Sequence, residues 1–212
     1  MPMVTGAGDT PAIVPLSLLE ALRNLDTPVG DGLDELAGEI VSKRFGLSST
    51  VAAQIQRYQE AHRRGLPVPT EETVGVFRLV GRRPDAALVY ADAGRRAARY
   101  AARQRSLPVR ALMASTPGFI RRRVGAGAAS RAARRVFGAT LAIRGRSAEA
   151  VIPQPLSLRA LPDGQACSFY GAALAETLRV LTGFEGAMVH MACRGRGDDT
   201  CRWRAAAAEG YS

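Results

Sequence analysis

Lysine is almost absent from this chain of 212 residues, which has one, Lys43, against 28 arginines. Histidine and cysteine are nearly as scarce, at two and three residues, and aromatics make up only 6%. No apolar run approaches the roughly 20 residues a membrane-spanning helix needs, because arginines interrupt every alanine-rich segment. The opening "MPMVTGAGDTPAIVP" lacks the basic stretch and continuous apolar run of a secretory signal. These absences point to a soluble, cytoplasmic protein with no transmembrane segment. In that reducing compartment an odd number of cysteines suits metal ligands better than disulfides. Hydrophobic residues are 47% of the chain, enough for a sizeable core.

Acidic residues are missing altogether between Asp92 and Glu149, while half of the arginines lie between Arg95 and Arg146. A segment of net charge this one-sided attracts anions, whether nucleic acid, lipid head groups or carboxylate-bearing ligands, or else forms a solvated basic surface. The low aromatic content and the lack of any recognised nucleic-acid motif argue against nucleic acid.

Residues 1–14, rich in Gly, Pro and Thr, read as a flexible lead-in. Apolar spacing predicts helices over 15–25, 32–46, 48–65 and 69–83, together a helical extension spanning 15–83. The segment 84–105 is the clearest helix, with Arg95, Arg99 and Arg103 on one face. Helix continues over 108–136, with breaks expected near Pro117–Gly118 and again at "GAG" (125–127). Alternation then predicts strands at 138–145 and 148–161, a helix at 167–183, and strands at 185–193 and 200–206 joined by the "RGRGDD" turn. Helices followed by strand pair, helix and strand pair make an α+β domain with an antiparallel sheet over 84–206, leaving 207–212 as a tail.

The dozen residues "HMACRGRGDDTC" hold one of the two histidines and two of the three cysteines. With Cys167 they supply four candidate metal ligands: Cys167, His190, Cys193 and Cys201. Thiolate and imidazole suit Zn2+, and four such ligands close a tetrahedral structural site with no position open for substrate. Cys167 opens a helix, whose dipole favours a thiolate there. Gly195 and Gly197 allow close backbone approach and positive φ in the loop. The spacing is not a standard zinc-finger one, so three buried cysteines with a hydrogen-bonded histidine, or a Cys193–Cys201 disulfide, are the competing readings.

"ACSFYGAALAETLRVLTG" followed by "VHMACRGRGDDTCRW" resembles the signature of the 4-vinyl reductase domain family, a Cys-x-Phe-Tyr helix followed by a Cys-rich hairpin, over residues 137–206. Related sensor domains for aromatic effectors hold zinc with three cysteines and a glutamate. The resemblance places Cys167, Cys193 and Cys201 on those cysteines, with His190 in place of the glutamate. The whole chain, including "LVGRRPDAALVYADAGRRAARYAA", is similar to the bacteriochlorophyll biosynthesis protein J (bacteriochlorophyll 4-vinyl reductase) family. That resemblance implies a ligand-binding fold shared with vesicle-tethering (TRAPP-type) subunits, helices packed on a twisted antiparallel sheet, and a homodimer. It also implies a tetrapyrrole ligand, a Mg-porphyrin or divinyl chlorophyllide. Partners would be bacteriochlorophyll biosynthesis enzymes such as magnesium chelatase or a downstream enzyme, in a cytoplasmic setting peripheral to a photosynthetic membrane.

Vinyl reduction needs an electron donor, and the sequence gives NADPH no support. "GAGAAS" (125–130) is a degenerate dinucleotide fingerprint, but "FIRRRV" before it puts three arginines where a buried strand is required. The aspartates of "GRGDDT" would repel phosphate. No nucleophilic catalytic set appears, and no catalytic residue is assigned. An accessory carrier or chaperone therefore reads better than a reductase, and a small-molecule sensor module is a further alternative. A porphyrin suits an apolar pocket with arginines at its mouth. Arg95, Arg99 and Arg103 are the candidates for its propionates, His62 for its magnesium, and Phe169 and Tyr170 for the pocket wall.

Overall fold

A computed structural model describes residues 8–27, 45–103, 118–145 and 147–207. Two short strands, β1 (Asp9–Pro11) and β2 (Pro67–Pro69), pair antiparallel. Between them lie α1 (Ile13–Asp26) and α2 (Ser49–Arg63), and after them α3 (Thr70–Gly81), α4 (Ala86–Arg103) and α5 (Gly118–Phe137). The second half runs β3 (Thr140–Arg144), β4 (Ser147–Ile152), a single helical turn α6 (Ser157–Ala160), α7 (Ser168–Thr182), β5 (Gly186–Ala192) and β6 (Cys201–Ala207). β3 to β6 form one antiparallel sheet in the order β3-β4-β6-β5. The protein is thus a mixed α and antiparallel β structure. Among the described residues no helix is long and apolar enough to cross a membrane.

The alternation read in the sequence becomes a two-faced sheet. Leu141, Ala148, Ala150, Ile152, Met188, Cys201 and Trp203 are buried, whereas Arg144, Val189, Met191, Arg202 and Arg204 are exposed. α7 covers the buried side and packs in turn on α4 and α5. α4 shows why alanine and arginine are both abundant. Its alanines 93, 97, 98, 101 and 102 are buried and Arg95, Arg99 and Arg103 are exposed. Small residues let two helix backbones approach closely: a Cβ on Gly94 would stand 2.2 Å from the Phe169 carbonyl oxygen.

The described parts of the 15–83 segment do not stand apart from the rest. Its Phe77 ring lies 5.8 Å from Tyr90 and 5.4 Å from Phe169, inside one continuous core. Arg83 clamps α1 by donating to both carboxylate oxygens of the buried Asp26, at 2.8 and 3.1 Å, while Gly46 N donates to the same group at 2.8 Å.

Several expectations need correction. The lead-in is structured from Asp9 onward, because β1 pairs with β2 and Ile13 and Val14 are buried at the start of α1. "GAG" does not break a helix: α5 runs through it, and Gly125 is where α5 meets the Leu181 carbonyl, 1.9 Å from a Cβ placed there. The strand expected over 148–161 stops at Ile152, since Pro153 and Pro155 end the pairing and α6 follows. The helix expected at 32–46 falls, up to residue 44, outside the described residues, as do 104–117 and the 208–212 tail.

Candidate functional site

The β5–β6 hairpin and the entry to α7 bring the four anticipated ligands together. Ligand atoms of Cys167, His190, Cys193 and Cys201 all lie within 4.8 Å of one another, a cluster that can hold a metal ion. Cys167 comes from a 3-10 turn, Gln165–Cys167, at the head of α7. His190 sits on β5 at an irregularity in the strand register, Cys193 just beyond it, and Cys201 starts β6. Gly197, at φ 99°, turns the loop, while Gly195 allows close approach, because a Cβ there would stand 2.3 Å from the Pro162 carbonyl oxygen. Asp198 accepts a hydrogen bond from Cys193 N at 2.7 Å and holds the loop against the cluster.

The sulfurs of Cys193 and Cys201 are 3.9 Å apart and all three cysteines are free, so no disulfide spans the hairpin. Arg194 N donates to the Cys201 sulfur at 3.4 Å, and Ser157 Oγ lies 3.5 Å from the Cys167 sulfur. Burial pushes the Cys167 thiol up to about 12 and raises Cys201 as well. Raised in this way the thiols favour their neutral form, and a bound cation would favour the thiolates. His190 fits the same role. Burial, then the nearby Arg196, lowers its pKa and favours the neutral ring. Nε2 is buried with no hydrogen-bond partner. A buried imidazole nitrogen left without a partner in this way is available to ligate a metal ion.

A cavity of about 640 Å³ opens beside the cluster. Cys167 and His190 line it, Met188 and Trp203 contribute apolar surface, and Arg95, Glu176 and Arg179 contribute charge. The Trp203 ring stacks on His190 with centroids 4.5 Å apart and planes 6° from parallel, so groove and cluster share a wall. Gly171 also lines the groove, and a Cβ there would make ordinary van der Waals contact with Trp203 Nε1 and the Met188 carbonyl oxygen, each 3.4 Å away.

The structure separates the anticipated ligand-binding residues. Arg95 lines the groove. Arg99 instead donates its Nε to the buried Glu176 at 2.7 Å, and Arg103 is exposed at the end of α4. Phe169 and Tyr170 are core residues, not groove wall: Phe169 packs edge-on against Phe77, Phe137 and Tyr170, and the Tyr170 hydroxyl accepts from Leu156 N at 3.0 Å. His62 lies edge-on to Tyr100 at 5.3 Å, its pKa lowered by burial, and is not among the groove residues. "GAGAAS" lies within α5, not at a strand-to-helix turn where a dinucleotide phosphate would sit.

Sequence reading missed Glu176. Its carboxylate accepts from Arg179 Nε and Nη2, each at 2.7 Å, and from Arg99, which hold its pKa down to about 2. A carboxylate depressed in the folded state stabilises above its ordinary value of 4.5 and loses that contribution as pH falls through about 2. Glu176→Gln should therefore cost on the order of 2 kcal/mol at pH 7, after allowance for screening at the exposed guanidinium ends. The gap from the parent should shrink towards zero below pH 2.5, read by thermal melts of both proteins across pH.

No family model matches the chain, and no curated protein or solved structure matches it either.

Proposed function

We propose that this protein is a zinc-stapled member of the 4-vinyl reductase domain type, on the ligand-binding fold shared with vesicle-tethering (TRAPP-type) subunits. Its ligand is a tetrapyrrole intermediate of bacteriochlorophyll biosynthesis, and it acts as a carrier or chaperone for a partner enzyme rather than as a reductase. The observation that carries the reading is the juxtaposition of the four-ligand cluster with a groove that has apolar walls and arginines. Its volume of about 640 Å³ falls within the range of small-molecule sites. An aromatic macrocycle with carboxylate substituents matches both surfaces.

Zinc is supported by the donor set and spacing. Bonds of ~2.3 Å in tetrahedral geometry place sulfurs about 3.8 Å apart, close to the 3.9 Å between Cys193 and Cys201. Cys167, His190, Cys193 and Cys201 would hold it, and the ion would supply structural cross-linking. Their own contribution is to tie the head of α7 to the β5–β6 hairpin and so fix both sides of the groove.

Trp203, the single tryptophan, lines the groove and provides a readout. Titration of the metal-loaded protein with magnesium protoporphyrin and with divinyl chlorophyllide should quench its fluorescence saturably and shift the porphyrin absorbance. Addition of NADPH should leave the bound spectrum unchanged. Conversion to the ethyl product would establish the reductase instead, and no quenching with either ligand would overturn tetrapyrrole binding.

A further inference from the structure

Among the described residues, three buried side-chain atoms have no hydrogen-bond partner: Thr73 Oγ1, His190 Nε2 and Trp203 Nε1. Thr73 is not a groove residue, whereas His190 and Trp203 both line the groove and stack on each other. The metal site accounts for His190 Nε2. It does not account for Trp203 Nε1, because an indole nitrogen carries a hydrogen and can only donate. Trp203 is fully buried, and a donor shut away from water without an acceptor forfeits its hydration and gains nothing in return.

The position of this donor points to a ligand. Nε1 lies 3.4 Å from the point where Gly171 would carry a Cβ, and the Met188 carbonyl oxygen lies 3.4 Å from the same point without accepting from it. Gly171 on α7 and Met188 on β5 both line the groove, so the N–H is set into the wall where helix and strand meet, behind a residue with no side chain. β5 is the edge of the sheet. An incoming oxygen therefore has to part β5 from α7, and not two paired strands. The chemistry of the acceptor follows from the neighbouring cluster. Three thiolates and one divalent ion carry a net charge of minus one, which disfavours a carboxylate at this donor and leaves a neutral carbonyl oxygen as the match. Resting on the tetrapyrrole reading, we propose that Trp203 Nε1 is a specificity-determining donor to a ketone oxygen on the macrocycle, and that Gly171 is the opening through which the oxygen reaches it. The groove then distinguishes macrocycles that carry a ring ketone, as divinyl chlorophyllide does, from those that lack one. Its apolar walls cannot make that distinction.

The test uses a matched pair, divinyl chlorophyllide and its deoxo analogue, in which a methylene replaces the ring ketone. Both are titrated into the metal-loaded full chain and followed by Trp203 quenching. The ketone should bind about tenfold tighter, the scale of one buried donor satisfied rather than stranded. Its carbonyl stretching band should fall in frequency on binding, read by infrared difference spectra. Gly171→Ala places a methyl group in ordinary contact with Nε1 and closes the approach. That variant should bind the two macrocycles equally and melt no lower than the parent, since alanine is the better helix residue. Equal affinity of the parent for the pair, an unshifted carbonyl band, or a ketone preference that survives in Gly171→Ala would overturn the donor and leave tetrapyrrole binding intact. Failure of both macrocycles to bind would overturn both readings.

Discussion

Cys193→Ala is expected to lose stoichiometric metal and to melt roughly 8–16 °C below the parent protein. Cys193 is buried at the convergence of three segments: its sulfur lies 3.9 Å from that of Cys201, and a Cβ on Gly164 would stand 2.6 Å from it. Removing the sulfur deletes a ligand and leaves two buried thiols and an imidazole facing a gap. Structural zinc contributes on the order of 10 kcal/mol to domains that fold only with metal. Here a continuous core already exists, so about 4 kcal/mol is the appropriate scale. For a chain of this length that corresponds to roughly 8–16 °C. Metal content by atomic emission and the melting curve of the same sample check the result. Met191→Ala, at an exposed position of β5 two residues earlier, should retain metal and stability. One zinc per chain retained in Cys193→Ala would remove Cys193 from the site. Chelation of the parent protein should reproduce the variant's melting temperature, since both abolish the same cross-link.

Gly94→Ala should be nearly as damaging, although alanine is ordinarily the better helix residue. Its Cβ would fall 2.2 Å from the Phe169 carbonyl oxygen and 2.9 Å from Ala173 N. Both are backbone atoms of α7, so no side chain can rotate away; the two helices must separate. Because α4 packs extensively on α7, the expected cost is about 3 kcal/mol. Gly75→Ala is the matched control, a helical glycine with nothing within 4 Å of its added Cβ. There alanine should stabilise by about 0.5–1 kcal/mol through helix propensity and reduced freedom of the unfolded chain. Opposite signs for the same chemical change, measured by urea denaturation, would establish that helix proximity decides the outcome. A neutral Gly94→Ala would show that α4 and α7 are not this close.

The cluster of candidate ligands was largely legible because two of its cysteines and its histidine lie within a dozen residues, and a hairpin folds such a stretch back on itself. Cys167 was legible as the head of a helix, but its burial, which raises the thiol's pKa, was not. The groove was not legible. Glu176 belongs to α7 and reads locally as an exposed helical acid; only its approach to Arg99, 77 positions away, makes it the anchor of a cationic cluster. Arg95, Arg99 and Arg103 share a helix face, yet they divide into one groove residue, one ion-pair partner and one solvated end. Phe169 and Tyr170 looked equally suited to a pocket wall, and packing against Phe77 and Phe137 placed them in the core.

By itself, then, the sequence determined what is carried along the covalent chain. The alanine and arginine periodicity set helix faces, alternation marked the strands, and the spacing of thiols and imidazole set a ligand group. Even the glycines were ambiguous at that level, since "GAG" signals a break unless another helix comes close. The tertiary structure alone decided which charges are neutralised, which aromatics are buried and where space remains. Those depend on α4 meeting α7 at backbone distance and on both meeting the sheet. Such contacts join residues remote in sequence, and their electrostatics follow from burial, which no local pattern encodes.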